Sequence, residues 1–281
     1  MSVTKQAQLA FSFISYLVKL DYDFISLFFG DFMKKIGIDK LPAKLDYIQS
    51  GTGLILGLFM WLHMFFVSTI LLGKDVMYTV TKFFEGYYIL GDSYPIFVTI
   101  GAATIFVIFI AHAAVAIRKF PSNFKQYTIM KEHTKRFDHS DTTMWFYQVF
   151  TGFAMFFLGS IHLYIIMTNP ADIGPYASSD RVVSDWMWPL YILLLLAVEF
   201  HGTIGLYRLT MKWGWFDGAN PRENRIKMKK YKYAFTAFFL GLGLLTLAAY
   251  VKIGLEQKEN GNVGNRYHSN SAYVIQQGMN S

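Results

Sequence analysis

The chain has 281 residues, of which 53% are hydrophobic, 18% aromatic and 16% charged, with a formal net charge of +7. That is too apolar for an ordinary water-soluble domain and fits a polytopic membrane protein, whose length is consumed by spans and short loops. Cysteine is absent, which excludes disulfides, thiolate-ligated clusters, c-type haem attachment and cysteine nucleophiles, so any iron–sulfur centre must belong to a partner.

In chain order, residues 1–41 show no basic segment and small-residue cleavage site ahead of an apolar core, so no cleavable signal is read there. Residues 9–30 are apolar but interrupted by Lys19, Asp21 and Asp23. They read as an amphipathic helix at the interface, within a cytoplasmic or interfacial extension. A membrane-crossing helix needs about 20 mainly apolar residues. Segments 48–72, 95–117, 143–168, 187–209 and 233–251 meet that need. Pro95 and Pro189 suit first-turn positions in the second and fourth. The membrane domain is bounded at 42–255, and residues 256–281, polar with repeated Asn and Gly, read as a mobile periplasmic tail. No internal repeat is visible.

Of 26 Lys and Arg residues, 20 lie before the first span, between the second and third, or around the fourth-to-fifth connection, and six lie on the other side. That bias puts the N-terminus in the cytoplasm and the C-terminus in the periplasm. The net charge therefore reflects topology and a face that holds anionic lipid, and gives no support to nucleic-acid binding.

Four of the seven histidines, His63, His112, His162 and His201, sit one per span. A titratable group is costly in lipid, so each is a functional hypothesis. At a rise of ~1.5 Å per residue, His63 and His162 lie about 22 and 28 Å from the inner ends of their spans, and His112 and His201 about 8 and 12 Å. The layers are about 15 Å apart, which pairs His63 with His162 and His112 with His201. Two bis-histidine haems b fit that arrangement and the absence of cysteine. Zinc favours four ligands around one point, which two layers do not build. Gly159, Gly205 and Ala116 fall on histidine faces by helical spacing, and Gly53 and Gly57 permit close approach on the first span. Ordinary helix packing explains these small residues equally well. His133, His139 and His268 read as solvated or structural.

Two carboxylates stand out. Glu199 lies two residues before His201, so it is turned about 200° from that histidine around the helix. It suits either a proton path beside the haems or a protonated side chain bonded to a neighbouring helix. Glu85 lies in the outer loop, in the run Lys82-Phe-Phe-Glu85-Gly-Tyr-Tyr. Loop carboxylates are ordinarily just solvated, although these aromatic flanks would suit a quinone headgroup.

The runs AKLDYIQSGTGLILGLFMWLHMFFVSTILLG, FIAHAAVAIRKFP, HSDTTMWFYQVFTGFAMFFLGSIHLY and MWPLYILLLLAVEFHGTIGLYRLTMKWGWF resemble the dihaem cytochrome b subunits of quinol:fumarate reductase, within the succinate:quinone oxidoreductases. The resemblance spans about residues 42–255 and implies an all-α membrane anchor with five transmembrane helices and two haems b. It assigns His112 and His201 to the haem near the soluble subunits, and His63 and His162 to the distal one. Glu85 becomes the acid/base of menaquinol oxidation near the periplasmic side, and Glu199 part of a compensating transmembrane proton path. Gln49, Ser50, Trp145 and Lys212 match positions near the inner haem propionates, and Arg181 a position near the outer ones. The implied partners are an iron–sulfur subunit and an FAD-containing flavoprotein on the cytoplasmic face of a bacterial inner membrane, with dicarboxylate chemistry outside this chain. Dimerisation of the complex is left open. Two other readings stand: a dihaem cytochrome b anchor of a hydrogenase or formate dehydrogenase, and a transporter or channel with a histidine/glutamate proton relay. No strongly Gly/Pro-broken pair of spans favours the second.

Overall fold

The structure, a computed structural model, describes residues 41–121, 123–137, 140–216 and 218–268. The expected interfacial helix at residues 9–30 lies outside them, as do His139 and the side chain of His133. Among the described residues the fold is all-helical. Its elements are α1 (Leu41–Ser68, extended by a 3-10 turn, Thr69–Leu72), α2 (Lys74–Phe84), α3 (Tyr87–Leu90), α4 (Ile96–Ile117) and α5 (Phe124–Phe137). They continue with α6 (Ser140–Thr168), α7 (Pro175–Val183), α8 (Trp188–Trp213) and α9 (Pro221–Glu259).

Helices α1, α4, α6, α8 and α9 are long and apolar enough to cross a membrane. Each coincides with one expected span, and the ends differ for local reasons. Helix α9 has 39 residues rather than the expected apolar core of 233–251. The Asn220 side chain accepts from the Glu223 N–H and Pro221 occupies the first turn, so capping starts the helix at the basic stretch and not at the apolar one. Helix α8 stops where Gly214 turns left-handed at φ 64°.

Packing order sets up the site. Helix α1 packs on α4, α4 on α6, α6 on α8, and α8 back on α1. These helices close a ring in which α1 faces α6 across one diagonal and α4 faces α8 across the other. Helix α9 lies outside the ring against α8, α1 and α7. Neighbours in the ring run antiparallel: Thr99 at the start of α4 donates to the Met167 carbonyl at the end of α6, 3.2 Å away. Arg208 late in α8 likewise donates to Gln148 early in α6 at 2.5 Å. One end of the bundle, the basic end, thus gathers the starts of α1, α6 and α9 with the ends of α4 and α8. The opposite end carries α2, α3 and α7.

Lipid supplies no hydrophobic drive between helices, so tight contact does the work. Phe239 of α9 is 2% exposed and stacks on Trp61 of α1 at 5.4 Å, with planes 3° apart. An ideal Cβ on Gly254 of α9 would sit 2.6 Å from the Ser179 carbonyl oxygen of α7. Only glycine lets α7 lie there.

Of the tail that composition suggests is mobile, residues 256–268 are described and are ordered by contacts, while residues 269–281 lie outside the described residues. Helix α9 runs on to Glu259, and the chain then folds back. The Gly264 N–H donates to Asp180 Oδ2 at 2.9 Å, Arg266 pairs with Asp172 at 3.2 Å, and the Tyr267 hydroxyl donates to Asp75 at 2.7 Å. These acids come from α7, the α6–α7 loop and α2, so their convergence is a property of the tertiary fold.

Gly254→Ala is expected to cost about 1–3 kcal/mol by overpacking, read as a lower melting temperature in detergent. Gly241→Ala on the same helix, with no atom within 4 Å of the added methyl, should leave it unchanged.

Candidate functional site

The four span histidines meet as two pairs, each across a diagonal of the ring. His63 of α1 and His162 of α6 have ring centroids 6.2 Å apart. His112 of α4 and His201 of α8 have centroids 6.4 Å apart. A metal–imidazole bond is about 2 Å, and a five-membered ring of bonds about 1.35 Å long has a radius near 1.1 Å. Two imidazoles facing across one ion should therefore have centroids about 6.3 Å apart. Both pairs have that spacing. Among the described residues no three His, Cys, Asp or Glu side chains gather around one point. Each pair thus offers two imidazole nitrogens and no further protein ligand among the described residues. That donor set fits haem b better than zinc.

The ring neighbours hold the basic-end pair. His201 Nδ1 lies 2.9 Å from the Gln148 carbonyl of α6. A carbonyl only accepts, so Nδ1 carries the proton and Nε2 keeps its lone pair. His112 Nδ1 lies 3.0 Å from Thr52 Oγ1 of α1, and that hydroxyl donates to the Ile48 carbonyl at 2.8 Å. Thr52 is then the acceptor, and His112 takes the same tautomer. Each ring also lies on a glycine of the neighbouring helix. An ideal Cβ on Gly53 would stand 3.0 Å from His112 Cε1, and one on Gly152 would stand 2.8 Å from His201 Cε1. Gly53 was legible as a close-approach position, whereas Gly152 carried no signal in the sequence. Gly159, by contrast, faces Phe109 at an ordinary 3.5 Å, and Gly205 backs the Gln148 side chain at 3.0 Å.

At the far-end pair, His63 stacks on Phe59 at 5.6 Å, and Tyr191 meets His162 edge-on at 5.6 Å. His162 Nδ1 is buried without a hydrogen-bond partner among the described residues.

Charge is sorted by end. At the basic end one carboxylate, Asp46, meets Arg118, Lys119 at 2.9 Å and Lys212 at 3.1 Å. Burial pulls the Lys119 ammonium below its ordinary value, and Asp46 opposes that change. Ser50 donates to the Asp46 carbonyl at 2.7 Å, and Gln49 Oε1 is buried without a partner among the described residues. Gln49, Ser50 and Lys212 thus converge a turn from Thr52 and His112, amid surplus positive charge suited to anionic edges of a bound group. Asp46, Arg118 and Lys119 were missed in the sequence because the meeting of α1, α4 and α8 brings them together. Trp145 is half-buried near the start of α6, beside Met144, which packs on Ile204 and Tyr207. Among the described residues no hydrogen bond ties Trp145 to the Asp46 group. Arg181 is buried in α7 at the opposite end and donates to the Asp172 carbonyl.

Glu85 is not a solvated loop carboxylate. It follows the last residue of α2, is 4% exposed, and meets Lys82 Nζ at 2.6 Å. The adjacent Phe84 packs edge-on against Phe66 of α1 at 4.9 Å, three residues past His63. Glu199 is fully buried, and among the described residues neither carboxyl oxygen has a hydrogen-bond partner. Thr203, one turn further along α8, bonds Thr236 of α9 at 2.8 Å, which puts this face toward α9 while His201 turns to α6.

Known proteins resemble this chain over most of its length. The family model for the succinate dehydrogenase/fumarate reductase transmembrane subunit matches residues 125–249. The fumarate reductase cytochrome b subunit of Wolinella succinogenes is 60% identical over 220 residues, 78% of this chain and 86% of that one. The subunit of the same description from Helicobacter pylori is 53% identical over 229 residues, 82% of this chain and 87% of its own. A succinate dehydrogenase hydrophobic membrane anchor subunit from Archaeoglobus fulgidus is 35% identical over 36% of this chain and 85% of its own.

Gly152→Val would drive a branched side chain into the His201 ring. The reduced-minus-oxidised difference spectrum is expected to lose b-type absorbance, whereas Gly101→Val, at a position with open space around it, should keep it.

Proposed function

We infer the function from kinship: the chain belongs to the fumarate reductase cytochrome b subunits, and it is the membrane anchor of such an oxidoreductase complex. Beyond that role, we propose that it holds two haems b and oxidises menaquinol. The observation that carries this reading is the spacing of the two diagonal histidine pairs, 6.2 and 6.4 Å between ring centroids.

His112 and His201 would hold the haem nearer the basic end, and His63 and His162 the other. When bound, the haems supply one-electron carriers between a two-electron quinol and the soluble subunits. The residues around them do the positioning. Gln148 and Thr52 hold the Nδ1 protons of the basic-end pair, which presents Nε2 lone pairs toward the diagonal. Asp46 organises Arg118, Lys119 and Lys212 as a cationic rim for propionates, with Gln49, Ser50 and Trp145 around it, and Arg181 serves the other end.

The lysine-rich end faces the cytoplasm by the charge rule. There the iron–sulfur and FAD-containing subunits dock, and fumarate is reduced outside this chain. Menaquinol binds at the opposite, periplasmic end, where Glu85 accepts a proton from a quinol hydroxyl. Lys82, already beside Glu85 Oε2, is the counter-ion that stabilises the carboxylate once that proton has left. Releasing protons at one face while reducing equivalents move to the other would work against the membrane field, at ~2.3 kcal/mol per charge per 100 mV. Glu199, buried on the α9 side of α8, passes a compensating proton inward.

In Glu85→Gln, menaquinol-driven fumarate reduction is expected to fall at least ~100-fold, the usual contribution of a general base. Benzyl-viologen-driven reduction should persist. His63→Ala should in addition lose b-type absorbance, which Glu85→Gln keeps. Wild-type quinol turnover in Glu85→Gln would remove this residue from the site. For Glu199→Gln the readout is quinol-coupled turnover in proteoliposomes. It is expected to drop sharply, and full activity there would exclude the proton path.

A further inference from the structure

We propose that residues 262–267 form a strap that is the water-side wall of the Glu85 site and controls how Glu85 exchanges its proton with the aqueous phase. The proposal rests on the reading of Glu85 as the acid/base of quinol oxidation.

A cavity of about 50 Å³ lies at the far end, with Thr81, Lys82 and Glu85 on one side and Arg266 and Tyr267 on the other. A water molecule needs roughly 10–15 Å³ of such space, so the cavity takes a few waters. Ligand pockets for larger organic groups begin near ~300 Å³, so the cavity as it stands suits water rather than a quinone headgroup. The other approach is apolar: Phe83 and Phe84, which directly precede Glu85, are 56% and 41% exposed. Glu85 therefore stands between a greasy approach suited to quinol and a small wet chamber suited to its proton.

The strap closes the chamber. The Gly264 N–H bonds Asp180 at 2.9 Å, with Gly264 in the left-handed region at φ 85°, a conformation that favours glycine. Arg266 bonds Asp172 at 3.2 Å. The Tyr267 ring meets Tyr78 and Tyr176 edge-on at 5.7 and 5.0 Å, and its hydroxyl donates to Asp75 at 2.7 Å. Burial, with the Asp75 carboxylate beside it, pushes that hydroxyl up to about 12, so it remains a donor in any physiological medium. The Arg266 and Tyr267 hydrogen bonds lie at the surface, where segments open at little cost, and the Gly264 bond is partly buried. In the exchange step the protonated Glu85 carboxyl gives its proton to cavity water, which hands it to bulk water past the strap. The carboxylate left behind faces Lys82.

The test is carbodiimide labelling of Glu85 in the assembled complex, with a water-soluble reagent and the mass of the peptide bearing residue 85 as readout. Gly264→Pro removes the donor to Asp180 and forbids the left-handed backbone, and Tyr267→Ala removes both ring contacts and the hydrogen bond. Each should label about ten-fold faster, the factor that ~1.4 kcal/mol of lost closure gives. Tyr267→Phe keeps the rings and should stay near the wild-type rate. The b-type spectrum checks that the variants are assembled. Unchanged labelling in both disruptive variants overturns the strap. Faster labelling combined with wild-type quinol oxidation in Glu85→Gln supports the strap as a wall while removing the quinol reading of Glu85.

Discussion

Imidazole rings set against glycine backbone are the contact on which the rest of this protein depends. His112 lies on Gly53 and His201 on Gly152, where an added Cβ would crowd the first ring at 3.0 Å and collide with the second at 2.8 Å. The helix beside each ring is thereby held to one side, and the two histidine pairs face one another across the diagonals at 6.2 and 6.4 Å between ring centroids. The Nδ1 bonds to Thr52 and Gln148 then set ring rotation and tautomer. Because lipid gives helices no hydrophobic reason to associate, the same close contacts that aim the ligands also hold the bundle together.

Around that centre the two ends are built for different work. The basic end surrounds one carboxylate, Asp46, with Arg118, Lys119 and Lys212, an arrangement with cationic capacity to spare. The far end does the reverse: Asp75, Asp172 and Asp180 each take a donor from the returning C-terminal segment. One end gathers more cationic side chains than its acid can neutralise. The other pairs its aspartates with donors from the returning segment. Helix α9 joins these ends without entering the ring, and its glycines bring it close to α8 and α7.

Much of this was legible in the chain. Five apolar segments, one histidine in each of the first four, and a helical rise were enough to sort the histidines into two levels and to pair them. The 200° offset of Glu199 from His201 placed it on the far side of α8, where it lies. Other features were not legible. Glu85 looked like a loop carboxylate because nothing in the run Lys82 to Tyr88 reveals that α2 folds back to bury it. Gly152 looked like any glycine of a span, and Gly159, better placed by spacing, only meets Phe109. Composition made residues 256–281 look mobile, yet within the described part three aspartates distant in sequence hold Gly264, Arg266 and Tyr267.

The sequence by itself determined the membrane spans, the depth of each histidine and the likeness to a known family, because apolar run length and rise per residue are properties of one helix alone. Only the tertiary structure decided which helices face across the ring, which glycines carry the imidazoles, how Glu85 comes to be buried beside Lys82 and where the C-terminal segment is fastened. Those depend on the rotation of each helix about its axis and on the identity of its neighbours. Both are fixed by contacts between residues that lie up to 192 positions apart, as Tyr267 and Asp75 do.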